Sequence, residues 1–131
     1  MNKFFISLFL SIALIAATNY STAGEPPASG EIVAGIPVKN SVTLVDLGAT
    51  TCIPCKMMTP ILEELKTEYQ GRAEVIFIDV HDKPDMAKPF ALMAIPTQIV
   101  YDRQGKEVFR HVGFLEKKAL KDQLDKSIAV K

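Results

Sequence analysis

The chain has 131 residues, short enough to form a single domain, and its 15 Lys and Arg are balanced by 15 Asp and Glu. Nothing in that balance suggests a nucleic-acid-binding domain, so no nucleic-acid partner is expected. The apolar content is high, and part of it is concentrated at the N-terminus.

Met1-Asn2-Lys3 carries one positive side chain, and Phe4 to Ala17 is an apolar run broken only by Ser7 and Ser11. A membrane-spanning helix needs about 20 apolar residues, so this run has the length of a signal-peptide core. Ser21-Thr22-Ala23 supplies the small residues that a signal peptidase reads, and residues 1–23 are expected to be a cleaved leader. The alternative is an uncleaved anchor. Either way the domain is expected outside the cytoplasm, in a periplasm or on the outer face of the cytoplasmic membrane, where disulfides persist.

Residues 24–40 contain Pro26-Pro27, Ser29-Gly30, Gly35 and Pro37, the composition of a linker with a short edge strand at Glu31 to Ala34. A folded domain is expected over 41–131. Val42 to Leu47 is a nearly unbroken apolar run, as expected of a central strand covered on both faces. Asp46 interrupts it, and a carboxylate is costly to bury. It either ends the strand in solvent, or lies buried and partly protonated beneath the cysteines, where through a water it would act as the base for Cys55.

Cys52-Ile53-Pro54-Cys55 holds the only two cysteines. Met58, Ile61, Leu62, Leu65 and Tyr69 follow at helical spacing, so the pair sits where a strand gives way to a helix. The first turn of a helix presents free N–H groups and the positive end of the dipole, which stabilise a thiolate. Cys52 is therefore the expected nucleophile, and Cys55, one turn on and more buried, the resolving thiol. Pro54 suits a first turn because its missing N–H has no partner to lose. The helix should run to about Gln70, kinked at Pro60 and stopped by Gly71. Lys56 reads as an exposed helix residue, and Met57-Met58 as core packing.

Val75 to Val80 is expected to be a second buried strand, parallel to the first in a right-handed βαβ unit. Between His81 and Ala94, Pro84 can open a short helix that Pro89 limits. Ile95-Pro96-Thr97 leads into a strand over Thr97 to Tyr101, with Pro96 either trans at a strand entrance or cis beside the cysteines. Asp102 to Gly105 is a turn, and Glu107 to Val112 returns antiparallel. A last helix from Leu115 to Ile128 turns Leu120, Leu124 and Ile128 inward, with Lys117, Lys118, Lys121 and Asp122 on a solvated face. The fold class is α/β, a mixed central sheet flanked by helices. If the fold brings the two segments together, Thr51 and Ile53, with Ala94 and Ile95 and beside Pro54 and Pro96, would form an uncharged docking surface for an extended substrate strand.

From Val42 onward, this order of elements resembles the thioredoxin family. Asp46 matches that family's buried aspartate, Cys52 and Cys55 its redox pair, Lys56 the residue after it, Pro60 the kink, Pro96 the cis-proline and Gly113 the glycine before the last helix. The resemblance implies a thioredoxin-like fold, a buried Asp46, a cis Pro96, and a substrate groove lined by Ile95 and the backbone around Pro96. It also implies no cofactor beyond the redox-active Cys52–Cys55 disulfide. There are departures: Thr51 stands where the family has tryptophan, Ile53-Pro54 replaces Gly-Pro, the lysine near the buried aspartate is missing, and the first strand and helix are abbreviated.

Strong oxidants of the family place a histidine between the cysteines, which stabilises the thiolate and hence the reduced form. Ile53-Pro54 carries no charge, which points to the reducing end of a span from roughly −270 mV to about −120 mV. The expectation is a monomeric, exported thiol:disulfide reductase acting on disulfide-containing proteins and recharged by a membrane thiol-disulfide electron donor. Its substrates could be misformed disulfides or the Cys-X-X-Cys-His segments of apocytochromes c. The alternatives are a dithiol oxidase or isomerase, and a metal-binding module. His81 and His111, the other soft ligands, lack the spacing of a closed zinc site, so no metal is expected.

Overall fold

A computed structural model of the chain describes residues 35–130. The expected leader and the edge strand expected over 31–34 lie outside the described residues. The elements are β1 (Val42–Gly48), α1 (Ile53–Glu68), β2 (Ala73–Asp79), α2 (Pro84–Ala87) continued by a 3₁₀ turn (Lys88–Phe90), β3 (Thr97–Tyr101), β4 (Glu107–Val112) and α3 (Lys117–Ala129). The strands form one sheet in the order β2-β1-β3-β4. β1 runs parallel to β2 and antiparallel to β3, and β3 and β4 are antiparallel. The mixed sheet flanked by helices is thus the architecture found.

Every residue of β1 is buried, because the strand is paired on both edges and covered on both faces. Side-chain alternation divides its apolar residues between two cores. Val42 and Leu44 pack with Met58, Leu62 and Leu65 of α1 and with Leu120 and Leu124 of α3. Val45 and Leu47 point the other way, to Ile78, Ala87, Phe90 and Ile99. Asp46 and Gly48 share the face that carries α1. A polar group and an empty side-chain position therefore lie between the sheet and the helix that bears the cysteines.

Several details differ from the sequence expectation. β2 begins at Ala73, two positions earlier than expected, and Phe77 is 43% exposed within it. β2 is an edge strand, and the residue facing Phe77 across the pairing is flanked by the side-chain-free Gly48. α1 ends at Glu68, not Gln70, because the chain turns where Tyr69 buries its ring and its hydroxyl donates to Asp125 Oδ1 at 2.9 Å. Pro89 lies inside the 3₁₀ continuation of α2. Met57 is exposed while Met58 is core.

The lysine face of α3 is also not wholly solvated. Lys117 donates to Glu64 at 2.6 Å and also pairs with Glu68, and Lys121 donates to Glu68 at 2.8 Å, tying α3 to α1. These contacts hold the Glu68 carboxyl down at about 2, the hydrogen bond from Lys117 contributing most.

Candidate active site

The loop from β1 to α1 closes through backbone bonds. Cys52 N–H donates to the Ala49 carbonyl at 3.1 Å, and Lys56 N–H donates to the Cys52 carbonyl at 3.0 Å, opening the helix. Cys52 is the N-cap residue, in an extended conformation, and its Sγ accepts from Cys55 N–H at 3.3 Å. The sulfur thus fills the place that a capping oxygen usually takes. Pro54 stands in the first turn. The two cysteines form a disulfide with Cα atoms 5.2 Å apart. Cys52 is half-buried, whereas Cys55 is 2% exposed.

Two residues fix this loop from below. A Cβ placed on Gly48 would stand 3.2 Å from Cys55 Cβ and 3.3 Å from its sulfur, so the strand is glycine where the inner cysteine rests on it. Asp79, at the end of β2, accepts from Thr50 N–H at 2.9 Å and from the N–H groups of His81 and Asp82 at 2.9 and 3.2 Å. These bonds, that from Thr50 first, hold its carboxyl below the usual carboxylate range. Sequence reading passed over Asp79, although an Asp closing a strand before a turn is a recognisable anchor. Beside Cys55, a cleft of about 330 Å³ opens between α1 and β2, lined by Ala49, Thr50, Thr59, Leu62 and Phe77.

Asp46 lies at full burial in β1, directly opposite Gln98 of β3. Gln98 Nε2 donates to Asp46 Oδ1 at 2.8 Å. Burial pushes the Asp46 carboxyl up to about 6, and the Gln98 hydrogen bond pulls against it. Asp46 is therefore not a solvated strand end. Asp46 Oδ2 and Gln98 Oε1 have no partner among the described residues.

The remaining expected site residues fall on the same end of the sheet. Thr51, Ile53, Pro54 and Ala94 are exposed, Ile53 at 75%, while Ile95 is half-buried and Pro96 buried. The Ile95–Pro96 peptide bond is cis. Leu47 pairs with Thr97, so the antiparallel register carries Pro96 alongside Gly48. The Pro96 carbonyl accepts from Gly113 N–H at 2.8 Å. Exposed apolar side chains missed in the sequence extend this surface: Met93, 92% exposed, beside Ala94; Met57, one turn along α1 from Ile53; and Phe114, next to Gly113. His81 is exposed, and the His111 ring contacts the Phe114 carbonyl at 3.2 Å. Among the described residues, no three His, Cys, Asp or Glu side chains gather as a metal site.

Comparison with known proteins matches residues 31–126 to the family model described as Thioredoxin. The chain is 44% identical over 91 residues to the thioredoxin of Staphylococcus aureus strain Mu50, covering 70% of this chain and 86% of that protein. The same figures hold for the thioredoxin of strain MW2. Among solved structures, a thioredoxin of Nicotiana alata superposes with a TM-score of 0.60 at 38% identity, over 67% of this chain and 74% of the other.

Proposed function

The chain belongs to the thioredoxin family and is a thiol:disulfide oxidoreductase; from that premise we propose that it is an exported reductase of protein disulfides, working through Cys52 and Cys55. The observation that carries this reading is the asymmetry of the pair. Cys52, half-buried, caps α1 through its sulfur, whereas Cys55 is 2% exposed and enclosed against Gly48.

In the reduced protein, the Cys52 thiolate attacks one sulfur of a substrate disulfide, forming a mixed disulfide and releasing the first substrate thiolate. Asp46, through a water, takes the proton of Cys55. The Cys55 thiolate then attacks Cys52 sulfur, and the second substrate thiolate leaves. The protein ends as the Cys52–Cys55 disulfide, two electrons poorer, and the substrate is reduced. Thr51, Ile53, Pro54, Ala94, Ile95 and Pro96 receive the substrate's extended chain. No cofactor beyond the cysteine pair takes part.

The uncharged, exposed Ile53-Pro54 supports the reducing direction, since neither residue adds charge that would stabilise the Cys52 thiolate and so the reduced form. A reductase in an oxidising compartment requires a membrane dithiol donor to recharge it. The leader-like residues 1–23 support export, to a periplasm or to the outer membrane face if the segment is retained.

The test is an equilibrium titration of the pair in the processed protein against a dithiol buffer, alongside insulin reduction by the parent and Cys52→Ser. A potential near roughly −270 mV, with activity lost in Cys52→Ser, is the expected result. A value near about −120 mV would replace it with a dithiol oxidase.

A further inference from the structure

Asp46 and Gln98 stand 52 positions apart in the chain and meet only because β1 and β3 are antiparallel neighbours. Their level of the sheet continues to Phe77 on β2 and His111 on β4. From α1 the same face receives Met58 and Leu62, and from α3 Leu120 and Leu124. The titratable or charged groups around the pair are few. They include Cys55 beyond Gly48, His111 across Gln98, Asp79 held by three backbone N–H groups, and Lys56, Glu63 and Lys66 of α1, which line the cleft beside Cys55 and Phe77. The lysines of α3 nearest α1 are engaged with Glu64 and Glu68.

In a surround so largely apolar, the two oxygens of a carboxyl would be interchangeable and free to rotate. Gln98 removes that freedom. Its Nε2 donates to Oδ1 at 2.8 Å, and Oδ2 keeps no partner while fully buried. A buried acceptor without a donor is costly, and a proton on it relieves the cost. Gly48 follows on the same strand face, one pleat along, with Cys55 sulfur against it.

We infer that Gln98 is the positioning residue of the proton transfer between Asp46 and Cys55: its amide holds Oδ1 and leaves Oδ2 as the oxygen that takes and returns the proton. The inference rests on the proposed role of Asp46 as the base. When the proton leaves Cys55 sulfur it is received at Oδ2, and the sulfur's freed electron pair forms the bond to Cys52 as the substrate thiolate departs. When the disulfide is reduced again, Oδ2 returns the proton to the departing Cys55 thiolate. An amide N–H on Oδ1 favours the ionised carboxylate, opposing burial, so the group can both hold and release a proton near neutrality.

The test compares the full processed protein with Gln98→Met, Asp46→Asn and the double variant. The first readout, independent of turnover, is the carbon-13 NMR titration of the Asp46 carboxyl in the disulfide form. Gln98→Met, which keeps length and removes the donor, should move the midpoint to higher pH. The second readout is the pH dependence of mixed-disulfide resolution by rapid mixing. Asp46→Asn should slow this step on the order of a hundredfold, the scale of a positioned proton acceptor. Gln98→Met should slow it several-fold at neutral pH and shift its profile with the titration, and the double variant should be no slower than Asp46→Asn.

An unmoved titration in Gln98→Met overturns the inference, as does a slowing in the double variant equal to the product of the two. If Asp46→Asn resolves as fast as the parent, the assignment of Asp46 as base fails and the Gln98 inference with it. If only Gln98→Met is unaffected, the base stands and the positioning role alone is refuted. Should Gln98→Met not fold, Gln98→Glu keeps length and polarity. Its own carboxylate, beside Asp46, should raise the same midpoint, and no rise overturns the inference.

Discussion

Gly48 and Cys55 meet across the strand–helix junction with no space for a methyl group between them. A Cβ on Gly48 would also stand 3.0 Å from the Phe77 ring, the one neighbour with room to swing aside, since Phe77 is partly exposed. Gly48→Ala should cost about 1–3 kcal/mol, the range of overpacking, because Phe77 can yield but the buried Cys55 cannot. In a Phe77→Ala background the penalty should shrink. Denaturant unfolding of the two single variants and the double measures the coupling.

Asp46 gives the domain a stability that falls as pH rises. Its carboxyl ionises at 3.8 in an ordinary setting and at about 6 here, so between those values the folded state holds a proton that the unfolded state releases. The folded form is favoured fully below that window, and the advantage is lost as pH passes about 6. A shift of roughly two units corresponds to about 3 kcal/mol. Asp46→Asn, which retains an acceptor for Gln98, should be more stable than the parent at neutral pH by up to that amount and no more stable at about pH 3. Denaturant midpoints at the two pH values decide it.

Glu68 works in the opposite direction. Its pairing with Lys117 and Lys121 lowers its carboxyl from 4.5 to about 2, so the stabilisation is complete above about 4.5 and is lost as pH falls toward about 2. These groups are largely exposed, and exposed ion pairs contribute little. Glu68→Gln should lower the melting temperature slightly at neutral pH, less in high salt, and not at all near pH 2.

Asp79 should matter more to the loop than to the core. Asp79→Ala removes the acceptor of Thr50, His81 and Asp82 N–H groups. The loss of global stability should be small, because Thr50, His81 and Asp82 are exposed and water can replace the carboxylate as acceptor. Hydrogen exchange at the Thr50 amide should accelerate well beyond that of core amides such as Leu44. Equal acceleration at both would mean that Asp79 supports the whole fold instead.

The local grammar of the chain carried most of the architecture. The unbroken run Val42 to Leu47, the helical spacing from Met58 to Tyr69, and the turn Asp102 to Gly105 each identify an element through side-chain periodicity or turn chemistry, which act over a few residues. The cysteine pair was legible for the same reason, since strand, motif and helix adjoin in sequence. What stayed hidden depends on neighbours brought together by topology. Gln98 looks like an ordinary strand residue until register sets it opposite Asp46. Phe77 looks buried until the sheet order makes β2 an edge. Lys117 and Lys121 look solvated until α3 lies against Glu64 and Glu68. Periodicity says which face a residue occupies, not who waits there.

The division of β1 between two cores means that adjacent letters of one strand answer to different halves of the molecule. Val45 and Leu47 look away from the sulfur, toward α2 and Phe90, and can drift in size so long as that half stays filled. Asp46 and Gly48 lie on the opposite face, with Cys55 against Gly48. The heptapeptide thus works as two interleaved messages, and a designer could rewrite Val45 and Leu47 to adjust durability while leaving Asp46 and Gly48, on the face of the cysteine pair, untouched.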